Sequence, residues 1–299
     1  MARKLLFIVN PNAGKKISDK LIETINNEFP KDVYYQIVIW KDKNHFKEVL
    51  DILHSQNYTD VIAVGGDGTV NQVASSLINT SITFGIVPAG SGNGLARSLK
   101  LSMNVSEVIK QIAAGKTEVI DYGVVNERPF FCTSGIGFDA HIGNLFATSV
   151  KRGLQSYVKI TIRELVKYKG KNYTLSINGD TIKRKAFLIT VANAGQYGNE
   201  FYIAPQANLQ DGQFHVVILR PTGVFGAISL FVKILSKKAH QSKYIETFVT
   251  NDLSIIENGN TTIHYDGEPA QFSGNLTYKC QHHQLKVIVG EGFKPSLIP

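Results

Sequence analysis

The sequence predicts an α/β plus all-β chain. A doubly wound, mostly parallel α/β domain takes residues 1–120, and an antiparallel β-sandwich takes residues 121–287. The tail, about residues 288–299, is read as able to return to the first domain. Three observations carry this reading. Short apolar runs alternate with helix-period segments as far as residue 115, as βαβ units do. Glycine-rich turns follow three of those runs, where open parallel sheets bind their ligands. Beyond about residue 117 strand-like runs dominate, and Asn178-Gly179 between two of them is a tight hairpin turn.

In order, residues 5–9 form a strand, and Leu21, Ile22 and Ile25 mark a helix capped by Ser18. Residues 34–39 form a second strand, followed by a helix marked by Phe46, Val49, Leu50 and Leu53. Residues 61–64 enter a Gly-Gly-Asp-Gly-Thr turn. Val70, Val73, Ala74, Leu77 and Ile78 then repeat at helical spacing. Residues 82–87 form the fourth strand, and a helix over residues 105–114 stops at Gly115. In the second half, strands are predicted at residues 118–125, 130–134, 173–177, 186–192, 214–219, 253–256 and 285–289. One helical face, Val158, Ile162, Leu165 and Val166, interrupts them. No proline- or serine-rich linker separates the halves, so they are expected to pack tightly around a cleft.

Composition narrows the function. With 43% hydrophobic and 19% charged residues, the chain has enough apolar content for a full core. Two cysteines, Cys132 and Cys280, make neither a disulfide framework nor a zinc site. With no leader-like N-terminal segment, a cytoplasmic setting is expected. A net charge of +8 favours an anionic partner: a nucleotide, a nucleic acid or an acidic membrane surface. No RNA-binding aromatic-basic motif or helix-turn-helix spacing appears, so no nucleic acid is expected. The apolar stretch at residues 223–235 is too short to span a bilayer, and Lys233, Lys237, Lys238 and Lys243 lie in and after it. It is read as a helix packed on the protein's own sheet, with a helix lying on a membrane as the alternative.

Four segments carry chemistry. Asn10-Pro11-Asn12-Ala13-Gly14-Lys15 makes a tight turn with a lysine in reach of a phosphate. In the turn of Gly65, Gly66, Asp67, Gly68 and Thr69, with Asn71 beyond, backbone N–H groups can approach a polyphosphate at a helix start. Asp67 would repel bare phosphate, so a divalent cation or a proton transfer is expected beside it. Gly90, Ser91, Gly92 and Asn93 form a third loop, and Arg97 adds charge. Tyr265-Asp266-Gly267-Glu268-Pro269 supplies two carboxylates on a turn between strands.

Together these segments resemble the diacylglycerol kinase catalytic-domain family, which includes sphingosine, ceramide and bacterial lipid kinases. The resemblance covers nearly the whole chain. It implies an N-terminal nucleotide domain of NAD kinase/phosphofructokinase type, then a β-sandwich. ATP would be bound by Asn10, Gly14, Lys15, residues 65–71, residues 90–93 and Arg97. Glu268 would be the general base that takes the lipid hydroxyl's proton. Asp67 would order Mg²⁺-bound water or act as an alternative base, and Asp121 would support metal or substrate hydroxyl. A structural Mg²⁺ would be held by the Asp211 side chain and the backbone carbonyls of Asn208 and Gln213. Residues 153–157 fit a further family segment. The implied protein is an ATP-dependent lipid kinase, cytoplasmic and peripheral at an anionic membrane, with a homodimer left open.

Two departures stand out. Asn93-Gly94 replaces the Asn-Asp pair usual in soluble bacterial diacylglycerol kinases and resembles sphingosine and ceramide kinases instead. Trp40 stands where the family often has a nucleotide-contacting threonine, and it is read as a hydrophobic edge residue, with stacking on a base as the alternative. The rivals are a kinase of a soluble substrate, since NAD kinases and phosphofructokinases share the Gly-Gly-Asp-Gly turn, and a non-catalytic nucleotide binder.

Overall fold

The computed structural model describes residues 3–11, 19–41, 43–147, 160–161, 163–164 and 167–295. It divides into two compact units, one of Met1–Ile120 with His283–Pro299, the other of Asp121–His282. Ser18 and the helical face of Val158, Ile162, Leu165 and Val166 lie outside the described residues.

In the N-terminal unit β1 (Lys4–Val9), α1 (Asp19–Glu28), β2 (Tyr34–Ile39), α2 (Lys43–Ser55), β3 (Asp60–Gly65), α3 (Asp67–Ser76), β4 (Thr83–Pro88), α4 (Gly94–Ser98) and α5 (Val105–Ala114) follow in order. The strands pair in parallel in the order β2-β1-β3-β4. Every residue of β3 and β4 is buried, which is why both read as unbroken apolar runs rather than alternating ones. The parallel register levels the strand ends: Val9 lies opposite Val64, and Val64 opposite Val87. The loops after β1, β3 and β4 therefore leave the sheet side by side. Arg3 ties the opposite end together. It pairs with buried Asp60 at 2.7 Å and donates to the carbonyls of Ile112 and Ala113 at the end of α5, both at 2.9 Å. Gly115 follows in the left-handed conformation (φ 68°) and stops that helix.

β5 (Thr117–Val125) leads into the C-terminal unit. There follow β6 (Arg128–Phe130), β7 (Thr133–Gly137), α6 (Phe138–Ala147), β8 (Lys171–Ile177), β9 (Asp180–Ala186), β10 (Leu188–Ala192), β11 (Phe214–Leu219), α7 (Val224–Leu235), β12 (Ile245–Thr250), β13 (Asp252–Ile256), β14 (Asn260–Tyr265), β15 (Glu268–Ser273) and β16 (Leu276–Ile288). One antiparallel sheet runs β12-β11-β10-β7-β14-β15. In the other, β13 lies between β8 and the first part of β16, with Leu253 opposite both Ile177 and Tyr278, and β9 pairs with β8. Ile136, Val191, Phe214 and Ile263 from the first sheet meet Leu175, Leu253, Ile255 and Tyr278 from the second in one core. This is the sandwich predicted. The last part of β16 belongs to the N-terminal unit, where Val287 lies parallel to Phe84 and the N–H of Val289 donates to Lys116.

Three predicted strands differ. The run at residues 130–134 is two strands broken at Phe131 and Cys132, whose N–H groups are used elsewhere. The run at residues 186–192 is preceded by β9, whose Lys183, Arg184 and Lys185 disguise it. The last strand is a thirteen-residue β16, where five residues were expected. The helix expected at residues 223–235 is α7, and one side of it packs on the protein's own sheet as expected. Leu230 and Ile234 pack toward the sheet beside Val217 and Leu219, yet five large apolar side chains on the same helix are exposed.

Candidate active site

The glycine loops of the N-terminal unit converge. Asn10, just past β1, receives a fixed place from its N–H bond to Val64 O (3.1 Å), and its Nδ2 donates to Thr69 Oγ1 at 2.8 Å. The N–H of Ala89 donates to Gly65 O at 2.9 Å, which docks the loop after β4 against the turn after β3. The approach requires glycine: a Cβ on Gly90 would sit 2.5 Å from Gly66 Cα. Asn93 stands at φ 54°, and its side chain closes its own loop. Its Oδ1 accepts from Gly90 N and its Nδ2 donates to Gly90 O, both at 2.9 Å. Arg97 Nε donates to Gly92 O at 3.2 Å. Asn10, residues 65–71 and residues 90–97 are thus brought together, with Ser91 exposed and Thr69 and Asn71 buried. Gly14 and Lys15 lie outside the described residues, as do residues 153–157.

The Asp67 carboxylate accepts from the N–H groups of Asn93 (3.0 Å) and Gly94 (2.7 Å) at the start of α4. Two charge-assisted bonds to backbone amides hold this anion among the glycines. The bond at Gly94 uses the main chain, so the Gly94 departure leaves this clamp intact. Asn93 has both polar side-chain atoms engaged in its own loop. Trp40 packs on Phe46, ring centroids 4.8 Å apart, in keeping with an edge residue.

The C-terminal unit holds the other acids. Asp121 is fully buried. Its Oδ2 accepts from Gly212 N (2.6 Å), and its Oδ1 lies 2.9 Å from His282 Nδ1. Asp211 accepts from Gln213 N at 3.0 Å, and Asn208 Oδ1 accepts from Gln210 N at 3.1 Å within the same turn. Burial pushes the Asp211 carboxyl above its usual range, with the Asp121 charge adding to it and the Gln213 N–H opposing it. Burial and the charges of Asp121 and Asp211 push the nearby Cys280 thiol up to about 12. The turn brings the Asp211 carboxylate and the Asn208 side-chain oxygen into one short segment, oxygen donors of the kind a hard divalent cation takes.

The two carboxylates of the Asp-Gly-Glu turn, read together from sequence, have opposite fates. Asp266 (φ 48°) and Gly267 (φ 84°) form a two-residue hairpin loop with left-handed backbone. Asp266 Oδ2 accepts from Phe131 N (2.8 Å), while Oδ1 accepts from Cys132 N (2.8 Å) and Thr133 N (3.1 Å). It is a structural anchor. Glu268, opposite Tyr265 at the start of β15, is exposed. Three supports escaped the sequence reading. Asn193 Nδ2 donates to both Asp121 O (3.0 Å) and Phe131 O (2.9 Å), joining the buried acid to the segment that holds Asp266. His282 lies against Asp121 from 161 residues away. His264, two residues before the hairpin, places Nε2 3.0 Å from Asp139, whose same oxygen accepts from the Thr190 and Tyr197 hydroxyls at 3.2 Å. Isolated histidines and asparagines in strands carry no motif; only the fold gathers them.

Residues 4–125 match the diacylglycerol kinase catalytic domain, and residues 133–289 match the YegS C-terminal NAD kinase beta sandwich-like domain. A protein of Pectobacterium atrosepticum named "Probable lipid kinase YegS-like" is 30% identical over 236 residues, which is 73% of this chain and 74% of that protein. An uncharacterized protein of Synechocystis is 24% identical over 279 residues, 87% of this chain but 64% of its own length. A diacylglycerol kinase from Bacillus anthracis has a similar fold, with a TM-score of 0.74 over 97% of each chain at 20% identity. With its glycine loops, its sandwich and these matches, the chain belongs to the diacylglycerol kinase catalytic-domain family of lipid kinases.

Proposed function

We propose that the protein is an ATP-dependent lipid kinase that transfers the γ-phosphoryl group to a hydroxyl of a diacylglycerol, sphingoid or related membrane lipid. The observation that carries this is the convergence of Asn10, residues 65–71 and residues 90–97 on a glycine cradle at the carboxyl ends of parallel strands. Backbone N–H groups there, with Arg97 and the lysine of the first loop, would bind and orient the triphosphate. Asp67 acts as a positioning residue that holds the second and third loops in register.

In the reaction, the lipid hydroxyl oxygen forms a bond to the γ-phosphorus as the bond from that phosphorus to the β–γ bridging oxygen breaks, and ADP leaves. The hydroxyl proton passes to the Glu268 carboxylate, which is exposed and so able to meet a substrate. Asp121, held by His282 and Gly212, would fix the framework that carries Glu268, by way of Asn193. A divalent cation at Asp211, Asn208 and Gln213 would, when bound, offset the negative charge of that turn.

A lipid acceptor brings the enzyme to a bilayer at least transiently, and relatives named as lipid kinases support that acceptor over NAD. The test is a radiolabelled-ATP screen against diacylglycerol, sphingosine, ceramide, NAD and a sugar phosphate, with the product identified by chromatography. Label in a lipid is expected. Label only in NAD or the sugar phosphate would replace the acceptor, and no label at all would leave a nucleotide binder.

A further inference from the structure

Helix α7 is apolar on two sides. Leu230 and Ile234, each 5% exposed, face the protein, whereas Phe225 (89%), Ile228 (58%), Phe231 (53%), Val232 (58%) and Leu235 (50%) face water. At 3.6 residues per turn these five side chains share an arc of about 120°. A helix with its outward face this apolar is abnormal for a water-exposed element and marks an interaction surface.

The charges around it say what covers it. Between Asp211 and Glu246 the chain carries no acidic residue but has Arg220, Lys233, Lys237, Lys238 and Lys243. Glu246 itself is paired with Arg184 and Arg220 at 2.8 and 2.9 Å. Lys237, Lys238 and Lys243 are exposed. Lys237 Nζ lies 4.5 Å over the Tyr202 ring, Lys243 Nζ lies 5.3 Å over Tyr244, and Lys233 donates to Gln241 O at 2.8 Å. Exposed Glu200 adjoins Phe201, whose ring lies 5.9 Å from that of Phe231, but five basic residues outnumber it, so a second copy docked on this face would bring mostly like charges together. Anionic headgroups meet the lysines, and acyl chains meet the apolar arc. No helix among the described residues is long and apolar enough to cross a membrane, so α7 would lie along the surface.

We propose that the outward face of α7 is a membrane-docking surface for anionic bilayers, with Phe225, Ile228, Phe231, Val232 and Leu235 entering the headgroup–acyl boundary and the lysines among the phosphates. This deepens the lipid-kinase reading by naming the surface that reaches the substrate, but its test does not depend on turnover.

The test is co-sedimentation of the full chain with phosphatidylcholine vesicles, with and without phosphatidylglycerol, for the wild type and for Phe225→Glu/Ile228→Glu. Both sites are exposed and outside the catalytic machinery, so melting and lipid phosphorylation in detergent micelles should be unchanged. Wild-type binding should require phosphatidylglycerol and weaken with salt, and the double variant should bind at least about tenfold more weakly. Three outcomes overturn the proposal: wild type that does not sediment with the anionic vesicles, a double variant that binds as well as wild type, or a wild-type dimer that the substitutions convert to monomer. Docking without phosphorylation of any lipid in micelles would instead sink the kinase reading and leave the surface standing.

Discussion

Asp67 in the N-terminal unit and Asp266 in the C-terminal unit occupy matching positions in two glycine turns and do the same work on different scaffolds. Asp67 gathers the N–H groups of Asn93 and Gly94 across 26 and 27 residues. Asp266 gathers those of Phe131, Cys132 and Thr133 across 133 to 135. Each carboxylate draws backbone amides onto itself and so fixes a loop. In the first turn no second acid follows. In the second, Glu268 follows two residues later and stays open. An acid in a glycine turn is therefore no sign of chemistry by itself. What matters is whether its oxygens are already taken.

The sharpest way to test that contrast is at the open acid. Glu268→Gln should lower turnover by about 10²–10⁴-fold while leaving ATP affinity near wild type; steady-state kinetics and ATP titration read both, and unchanged turnover removes Glu268 as base. Next in size, Asp266→Ala leaves three amides without their anion and should cost about 3 kcal/mol. Hydrogen exchange should show faster exchange at Phe131, Cys132 and Thr133, and an unaltered pattern would mean that Asp266 anchors nothing. Asp67→Ala frees only two amides and should cost about 2 kcal/mol, with a weakened ATP affinity that Glu268→Gln lacks. If the two aspartates swapped phenotypes, the assignment of nucleotide and acid to different units would be wrong.

Two smaller effects refine the picture. Millimolar Mg²⁺ should stabilise the wild type by about 1–2 kcal/mol in thermal melts, and Asp211→Ala should abolish that gain. The Arg184 hydrogen bond, aided by Arg220, holds the Glu246 carboxyl below its usual range. A carboxyl lowered on folding contributes stability above its unfolded value, and that stability is lost as pH falls through its folded value. Glu246→Gln should thus cost no more than about 1 kcal/mol at neutral pH, given its partial exposure, and nothing once acid has protonated the wild type. A loss that persists in acid would point to packing instead of charge.

The legible parts of the sequence are those governed by local rules. β1, β3 and β4 are buried on both faces, and their unbroken apolar runs announce it. Gly115 ends α5 as its position suggests. β9 was missed because Lys183, Arg184 and Lys185 sit in a strand whose inward residues are few. The site divides the same way. Asn10, the Gly65 turn and the Gly90 loop are visible as motifs, because close backbone approach demands glycine at fixed places. Which of Asp266 and Glu268 stays open is not visible, since the answer lies in amides more than 130 residues away. His282 and Asn193 are hidden for the same reason: each matters only through a partner that the folded chain supplies.

Asn193 joins two segments of the C-terminal unit through one side chain. One side-chain amide grips the carbonyls of Asp121 and Phe131, and Phe131 in turn grips Asp266. The path from Asp121 to the Asp266 turn thus passes through one side-chain amide as well as through the β5–β6 and β7–β10 ladders. A neutral residue thereby shares in fixing the hairpin that carries Glu268, without touching either acid's side chain in those bonds.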